Sequence, residues 1–233
     1  MTSGKRVLII IPAFNEGESI GKTIAEVRAE LPAVDVLVVD DGSSDDTIPT
    51  ARAAGAIVAP LPYNLGVGGA RRLGYLYALR HDYDVAVQFD ADGQHDPRYV
   101  PEMVDALAEA DLIIGARFAG EGEYHARGPR WWAMRMLSMV LSWICGAKLT
   151  DTTSGFRACG RPLIEGYARW YPVEYLGDTI DTTVWAARRG YKVRQVPVAM
   201  RARMGGVPSH SPIKATVYLF RAMVTLLLAL VRR

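Results

Sequence analysis

Residues 84–94 read DVAVQFDADGQ. The run Val85–Phe89 has the length and apolar character of a buried strand, and it leads directly into two aspartates one residue apart, Asp90 and Asp92. The same spacing occurs at Asp82-Tyr83-Asp84, but that pair precedes the strand and reads as a solvated turn. Spacing alone describes many acidic loops. Position separates the two pairs, because open α/β sheets bind ligands beyond the carboxyl ends of their strands. Two carboxylates hung there suit a hard divalent cation, Mg²⁺ or Mn²⁺, which takes one or two protein oxygens and completes its shell with water and phosphate.

Working outward, apolar runs alternate with helical stretches. Strands are predicted at Val7–Ile11, Val34–Val39, Ala56–Ala59, Val85–Phe89 and Leu112–Gly115, with helices over 17–30, 45–54, 67–81 and 97–109. Continuous apolar strands joined by short connections to helices imply a doubly wound, mainly parallel α/β sheet. Pro97 and Pro101 fit the first turn of the fourth helix. The second half changes character. Residues 117–130 read as a loop, followed by a Trp- and Met-rich helix over 131–144 and a turn-rich segment, LTDTTSGFRACG, at 149–160. Helices are expected near 161–170 and 177–189, and a strand at Tyr191–Met200. No repeat or low-complexity linker appears. Residues 1–212 are therefore read as one domain with a helical carboxyl-terminal elaboration, followed by an apolar helix at 213–233.

The chain has 233 residues, half of them hydrophobic, and a net charge of +2. That is enough for a large core and too little charge for a nucleic-acid partner. Cys145 and Cys159 match no metal or disulfide pattern and read as buried small residues in a reducing cytosol. The amino-terminal apolar run is broken by Pro12 and reads as a strand rather than a secretory leader. Residues 213–233 are apolar but interrupted by Arg221, short of the roughly 20 residues a span requires. The expectation is a peripheral helix on the inner face of a membrane, with Arg232 and Arg233 at the headgroups; an ordinary packed helix is the alternative.

Three further strand ends carry polar motifs. Pro12-Ala13-Phe14-Asn15-Glu16 follows the first strand, and Glu16 can accept from a base or ribose hydroxyl. Asp40 and Asp41 follow the second; Ser44 or Asp45 can cap the next helix, which leaves the two aspartates at the ligand-binding edge. Asn64-Leu65-Gly66-Val67-Gly68-Gly69 opens the third helix, where backbone amides favour anions, although it is not a dinucleotide fingerprint.

Together these pieces resemble the family 2 glycosyltransferases, in particular the polyprenyl-phosphate (dolichol-phosphate) mannose or glucose synthases. The matching segments are PAFNE at 12–16, VVDDGSSDDT at 38–47, NLGVGGARRLG at 64–74, FDADGQHDP at 89–97, GAR at 115–117, DTTSGFRA at 151–158 and VPVAMRAR at 196–203. The resemblance implies a GT-A fold and inverting, metal-dependent transfer of a hexose from a nucleotide-sugar to a polyprenyl phosphate at a membrane surface. On that resemblance Pro12, Ala13, Glu16, Asp41, Gly66, Asp90, Ala91 and Asp92 would bind the nucleotide-sugar, and Asp90, Asp92 and Gln94 the metal. Asp92, Arg117 and Arg203 would carry catalysis, and Arg135, Ser154 and Arg157 would meet the acceptor. A lipid phosphate is already anionic and needs no base. A sugar-hydroxyl acceptor would need one, and Asp181 or Asp178 would supply it. A non-catalytic nucleotide-sugar-binding subunit is the rival from another class. The Arg203–Ser211 segment, with Pro208 and His210, departs from the family's usual acceptor loop. A separate membrane subunit and homo-oligomerisation are both compatible with the sequence.

Overall fold

The computed structural model describes residues 4–117, 129–172 and 177–201. Its first half alternates strand and helix: β1 (Val7–Ala13), α1 (Ile20–Glu30), β2 (Asp35–Asp40), α2 (Thr47–Ala53), β3 (Ile57–Pro60), α3 (Gly66–Arg80) and β4 (Val85–Gln88). A 3-10 turn at Pro97–Tyr99 leads into α4 (Val100–Ala106), then β5 (Leu112–Arg117) and α5 (Pro129–Cys145). The chain continues through β6 (Arg157–Gly160), α6 (Arg161–Arg169), α7 (Gly177–Arg188) and β7 (Val193–Val198).

The strands form one seven-stranded sheet in the order β3-β2-β1-β4-β6-β5-β7. β1 pairs in parallel with both β2 and β4, so the chain winds outward in opposite directions from the β1/β4 boundary. That boundary is the topological switch point, where an α/β sheet opens a crevice at its carboxyl edge. Side chains alternate across the sheet. Leu8 and Ile10 enter a core shared with α3, α5, α6 and α7. Val7, Ile9 and Ile11 enter a second core under α1, α2 and α4. Both faces are covered, which is why these strands are apolar throughout. Helix α3 lies close on β1, and a Cβ at Gly74 would sit 2.3 Å from Ile10 Cγ2.

One element departs from the sequence-based expectation. RACG, read above as part of a turn-rich segment, forms β6 and inserts antiparallel between β4 and β5. Its reversal has a consequence for the site. The loop before an antiparallel strand reaches the same edge as the ends of the parallel strands, and Arg157 lies opposite Gln88 of β4. The segment 151–156 is thereby delivered to the crevice.

Among the described residues no helix is long and apolar enough to cross a membrane. The expected apolar helix at 213–233 lies outside the described residues, as does most of the 117–130 loop. Cys159 is buried and Cys145 half-buried, both as free thiols.

Candidate active site

The strand-end motifs singled out in the sequence lie at the carboxyl edge around the switch point. The turns after β1 and β2 lace together. Asn15, in the left-handed region at φ 55°, accepts from Ser44 N–H through Oδ1 at 2.9 Å, and its own N–H donates to Ser43 Oγ at 2.9 Å. Glu16 N–H donates to Thr47 Oγ1 at 2.8 Å, and Ser19 Oγ donates to the Glu16 carboxylate at 2.7 Å. Asp45 accepts from Thr47 N–H at 3.0 Å, although the cap position of α2 falls to Asp46 and not to Ser44 or Asp45 as expected. Pro12 and Ala13 lie at the end of β1, where Ala13 O accepts from Asp41 N–H at 2.8 Å.

Both aspartates after β2 have structural partners, contrary to the sequence reading. Asp41, 4% exposed, accepts from Leu65 N–H at 2.7 Å. Burial pushes its pKa up, and hydrogen bonds from the backbone of Leu65 and Gly66 partly offset this. Gly66 N–H also donates to Asn64 Oδ1 at 3.0 Å. The anion held by these amides at the start of α3 is thus the chain's own Asp41. Asp40 accepts from Ser43 N–H through Oδ2 at 3.1 Å, while its Oδ1 is buried with no hydrogen-bond partner. A buried carboxylate oxygen without a donor is costly, and a ligand N–H or O–H would satisfy it.

Across the switch point, Asp90 and Asp92 follow β4. Asp92 is 6% exposed and accepts from Gln94 N–H at 3.0 Å, closing a tight turn around Gly93. Ala91 O accepts from Thr23 of α1 at 2.9 Å. The side chain of Asp90 is 37% exposed. The described end of the chain returns here, with Arg201 N–H donating to Gln94 O at 3.0 Å.

Two residues that sequence reasoning left without a role hold Asp90. His95, 2% exposed, accepts from Asp90 N–H through Nδ1 at 3.0 Å. That acceptor role assigns the ring proton to Nε2, which lies 3.5 Å from Asp90 Oδ2. The imidazole stacks on Phe156 of the 151–156 loop, with ring centroids 4.7 Å apart. Arg71 reaches from the buried face of α3, placing Nη2 3.1 Å from Asp90 Oδ1 and Nη1 on Asp178 at the start of α7. One signal was available: Arg71 shares its face with Gly74, Tyr75 and Ala78, and a charge on the apolar face of a helix needs a partner.

The acceptor assignments fare differently. Arg157 is 2% exposed, and its guanidinium donates to Ser154 O, Thr152 O, Thr179 O, Thr182 Oγ1 and Thr183 Oγ1. Every arm is engaged by protein, so Arg157 braces the loop against α7. Ser154, also 2% exposed, accepts from Phe156 N–H at 3.3 Å and is likewise a turn residue. Arg135 is exposed on α5. Arg117 closes β5 at the carboxyl edge; its side chain, and all of Arg203, lie outside the described residues. Of the two candidate bases, Asp178 is paired with Arg71 and Asp181 is half-buried on α7.

Asp90, Asp92 and Gln94 offer only oxygen ligands on the protein side, the donor set a hard divalent cation prefers. Among the described residues no group of three or more His, Cys, Asp or Glu could hold a metal, so a cation here would depend on amide, water and substrate oxygens as well.

Residues 8–166 match the model of glycosyl transferase family 2. The chain is 33% identical to an undecaprenyl-phosphate mannosyltransferase of Micrococcus luteus, over 91% of this chain and 93% of the relative. It is 32% identical to a polyprenol monophosphomannose synthase of Mycolicibacterium smegmatis, over 89% and 82% of the two chains. Among solved structures it resembles glucosyl-3-phosphoglycerate synthase of Mycobacterium tuberculosis, in a complex with Mn²⁺, UDP and glucosyl-3-phosphoglycerate. There the TM-score is 0.71 at 23% identity, covering 98% of this chain and 80% of the other, a likeness of fold. The chain belongs to glycosyl transferase family 2 and is a hexosyltransferase of GT-A fold.

Proposed function

We propose that the protein transfers a hexose, with inversion, from GDP-mannose or UDP-glucose to a polyprenyl phosphate at a membrane surface. The observation that carries this reading is the site itself: Asp90 and Asp92 at the switch-point crevice of a chain aligned nearly end to end with two polyprenyl-phosphate mannosyltransferases. The orphaned Asp40 Oδ1 supports a nucleoside on the β1/β2 side, where a base N–H or ribose hydroxyl would complete its bonding. On this reading Pro12, Ala13, Glu16, Asp41 and Gly66 would line that side, and Ala91 would lie toward the diphosphate. Asp90, Asp92 and Gln94 would hold Mg²⁺ or Mn²⁺, which when bound supplies positive charge to the diphosphate leaving group.

The acceptor phosphate brings its own nucleophile. One of its oxygens forms the new bond to the anomeric carbon as the bond to the diphosphate breaks, and the electron pair leaves with the nucleoside diphosphate. No proton must be removed. In-line attack on an α-linked donor gives a β-linked product. The requirement is to hold two anions together, a task for arginine forks, and Arg117, Arg203 and the exposed Arg135 are the proposed clamps. Pairing of Asp178 with Arg71 favours this over a hydroxyl acceptor, because its carboxylate is turned to the guanidinium and not to a substrate hydroxyl.

The test is initial rate with radiolabelled donor and both acceptor types. Removing an arginine that clamps a phosphate costs about 2–5 kcal/mol, so Arg117→Ala and Arg203→Ala should each nearly abolish transfer to prenyl phosphate. Asp181→Asn should retain substantial activity. Loss of all turnover in Asp181→Asn, with near-normal arginine variants, would replace the lipid phosphate by a sugar hydroxyl.

A further inference from the structure

Two buried arginines converge on the start of α7, and they are not equivalent. Arg157 bonds only to carbonyl and hydroxyl oxygens. Arg71 bridges two carboxylates, Asp178 through Nη1 and Asp90 through Nη2. The side chains of Arg71 and Asp178 are each 5% exposed, against 37% for Asp90. Burial works against the charge of Arg71, but the Asp178 carboxylate, followed by Tyr171 and Asp90, drives its pKa well above the usual value. The guanidinium is therefore a permanent, poorly screened positive charge. Gly155 closes the site over it. A Cβ there would lie 3.0 Å from Arg71 Nη2 and 3.2 Å from Asp90 Oδ2, so a larger residue would press on both side chains.

A guanidinium bonded to Asp90 is a cation already present where the proposed function places another. We propose that Arg71 competes with the divalent cation for Asp90, and that Asp178, by holding the other arm of Arg71, sets how strongly it competes. This rests on the metal reading of Asp90 and Asp92. Asp178 is then a charge-compensating positioning residue. The same ion pair ties the affinity of the cation to the placement of α7.

The charges predict effects of opposite sign. Without the Asp178 carboxylate, the full charge of Arg71 acts on Asp90 and the cation binds more weakly. Without the guanidinium, Asp90 is released and the cation binds more tightly. Removing both restores the balance. A purely structural bracket would instead weaken binding in both single variants.

The experiment is a titration of the full chain with Mn²⁺ alone at low ionic strength, reading free Mn²⁺ by electron paramagnetic resonance, with circular dichroism confirming the fold. Asp178→Asn should weaken binding about tenfold and Arg71→Met should tighten it about tenfold, the scale of one nearby unit charge on a divalent ion at high effective dielectric. The double variant should lie within about threefold of the parent. Single variants that shift the same way, or not at all, overturn the proposal. If Arg71→Met does not fold, the comparison of Asp178→Asn with the double variant decides: weaker binding in the single supports competition, and equal binding refutes it. A parent chain that binds no Mn²⁺, unaffected by Asp92→Asn, would sink the metal reading itself and this inference with it.

Discussion

The two halves of the sheet are built on different principles. From β2 through β1 to β4 the strands are parallel and most of their residues, such as Leu8, Ile9, Ile10, Leu37 and Val38, are buried and apolar. Beyond β4 the antiparallel β6 intrudes, and the wall it builds with the 151–156 loop and α7 is buried but polar. Thr152, Ser154, Arg157, Asp178, Thr179, Thr182 and Thr183 are all under 5% exposed. The first half needs only volume and pattern, and it delivers backbone ends to the β1/β2 side of the crevice. The second is fixed by directional bonds in a low-dielectric setting, where full satisfaction rigidifies and any loss is expensive. A site that must hold Asp90 in one orientation between Arg71, His95 and Gly155 is better served by the second kind of wall.

Substitutions can break that contrast. The largest effect is expected from Arg157→Met, which fills similar volume but takes a donor away from three carbonyls and two threonine hydroxyls. It should destabilise the protein by about 4 kcal/mol in urea denaturation, at the upper end for loss of a buried network, and abolish transfer. A cost near zero would mean that the polar wall is ornamental.

Asp96 tests the joint between the halves. It is 3% exposed and pairs with Arg98 at 2.6 Å and with Arg201 at 2.8 Å. Burial pulls its pKa upward, but the Arg98 and Arg201 bonds prevail and bring it to about 2, from an ordinary 3.8. Its folded pKa lies below its unfolded one, so its stabilisation is complete above pH about 4 and disappears as pH falls through about 2. Asp96→Asn should therefore cost about 1–2 kcal/mol at pH 7 and flatten the acid limb of the stability curve across that window. An unchanged limb would assign the acid sensitivity to other carboxylates.

The smallest effect belongs to the apolar half. Ile10→Val removes one buried methylene next to Gly74 and should cost about 1 kcal/mol, with the rate of transfer unchanged. A large loss of activity would show that β1 packing reaches the site more directly than this comparison allows.

The same contrast explains what could be read in the sequence. β1, β2, β4 and β5 announce themselves because strands covered on both faces are apolar runs, and the motifs at their ends were placed by the edge rule alone. β6 is four residues long and begins with arginine. Nothing local marks Arg157 as buried, because its burial depends on threonines 22 to 26 residues away. For the same reason the bonds that tie Arg157 and Ser154 into the wall could not be read locally. His95 and Arg71 sit within recognised motifs, but their roles come from a stacking partner and a counter-ion on distant segments. Asp41 misled in the opposite direction: its place at a strand end was right, while its bond to the start of α3 could not be seen without the turn at 61–65.

The central claim, cation-dependent transfer to a lipid phosphate, is tested most directly by one assay. Purified full-length protein is given radiolabelled GDP-mannose or UDP-glucose, prenyl phosphate and Mn²⁺, and organic-phase label is counted with and without EDTA. The account predicts label in the lipid fraction with one of the two donors, lost on chelation and nearly lost in Asp92→Asn. Full transfer in EDTA would contradict the metal site, and label appearing only on a sugar hydroxyl would contradict the acceptor.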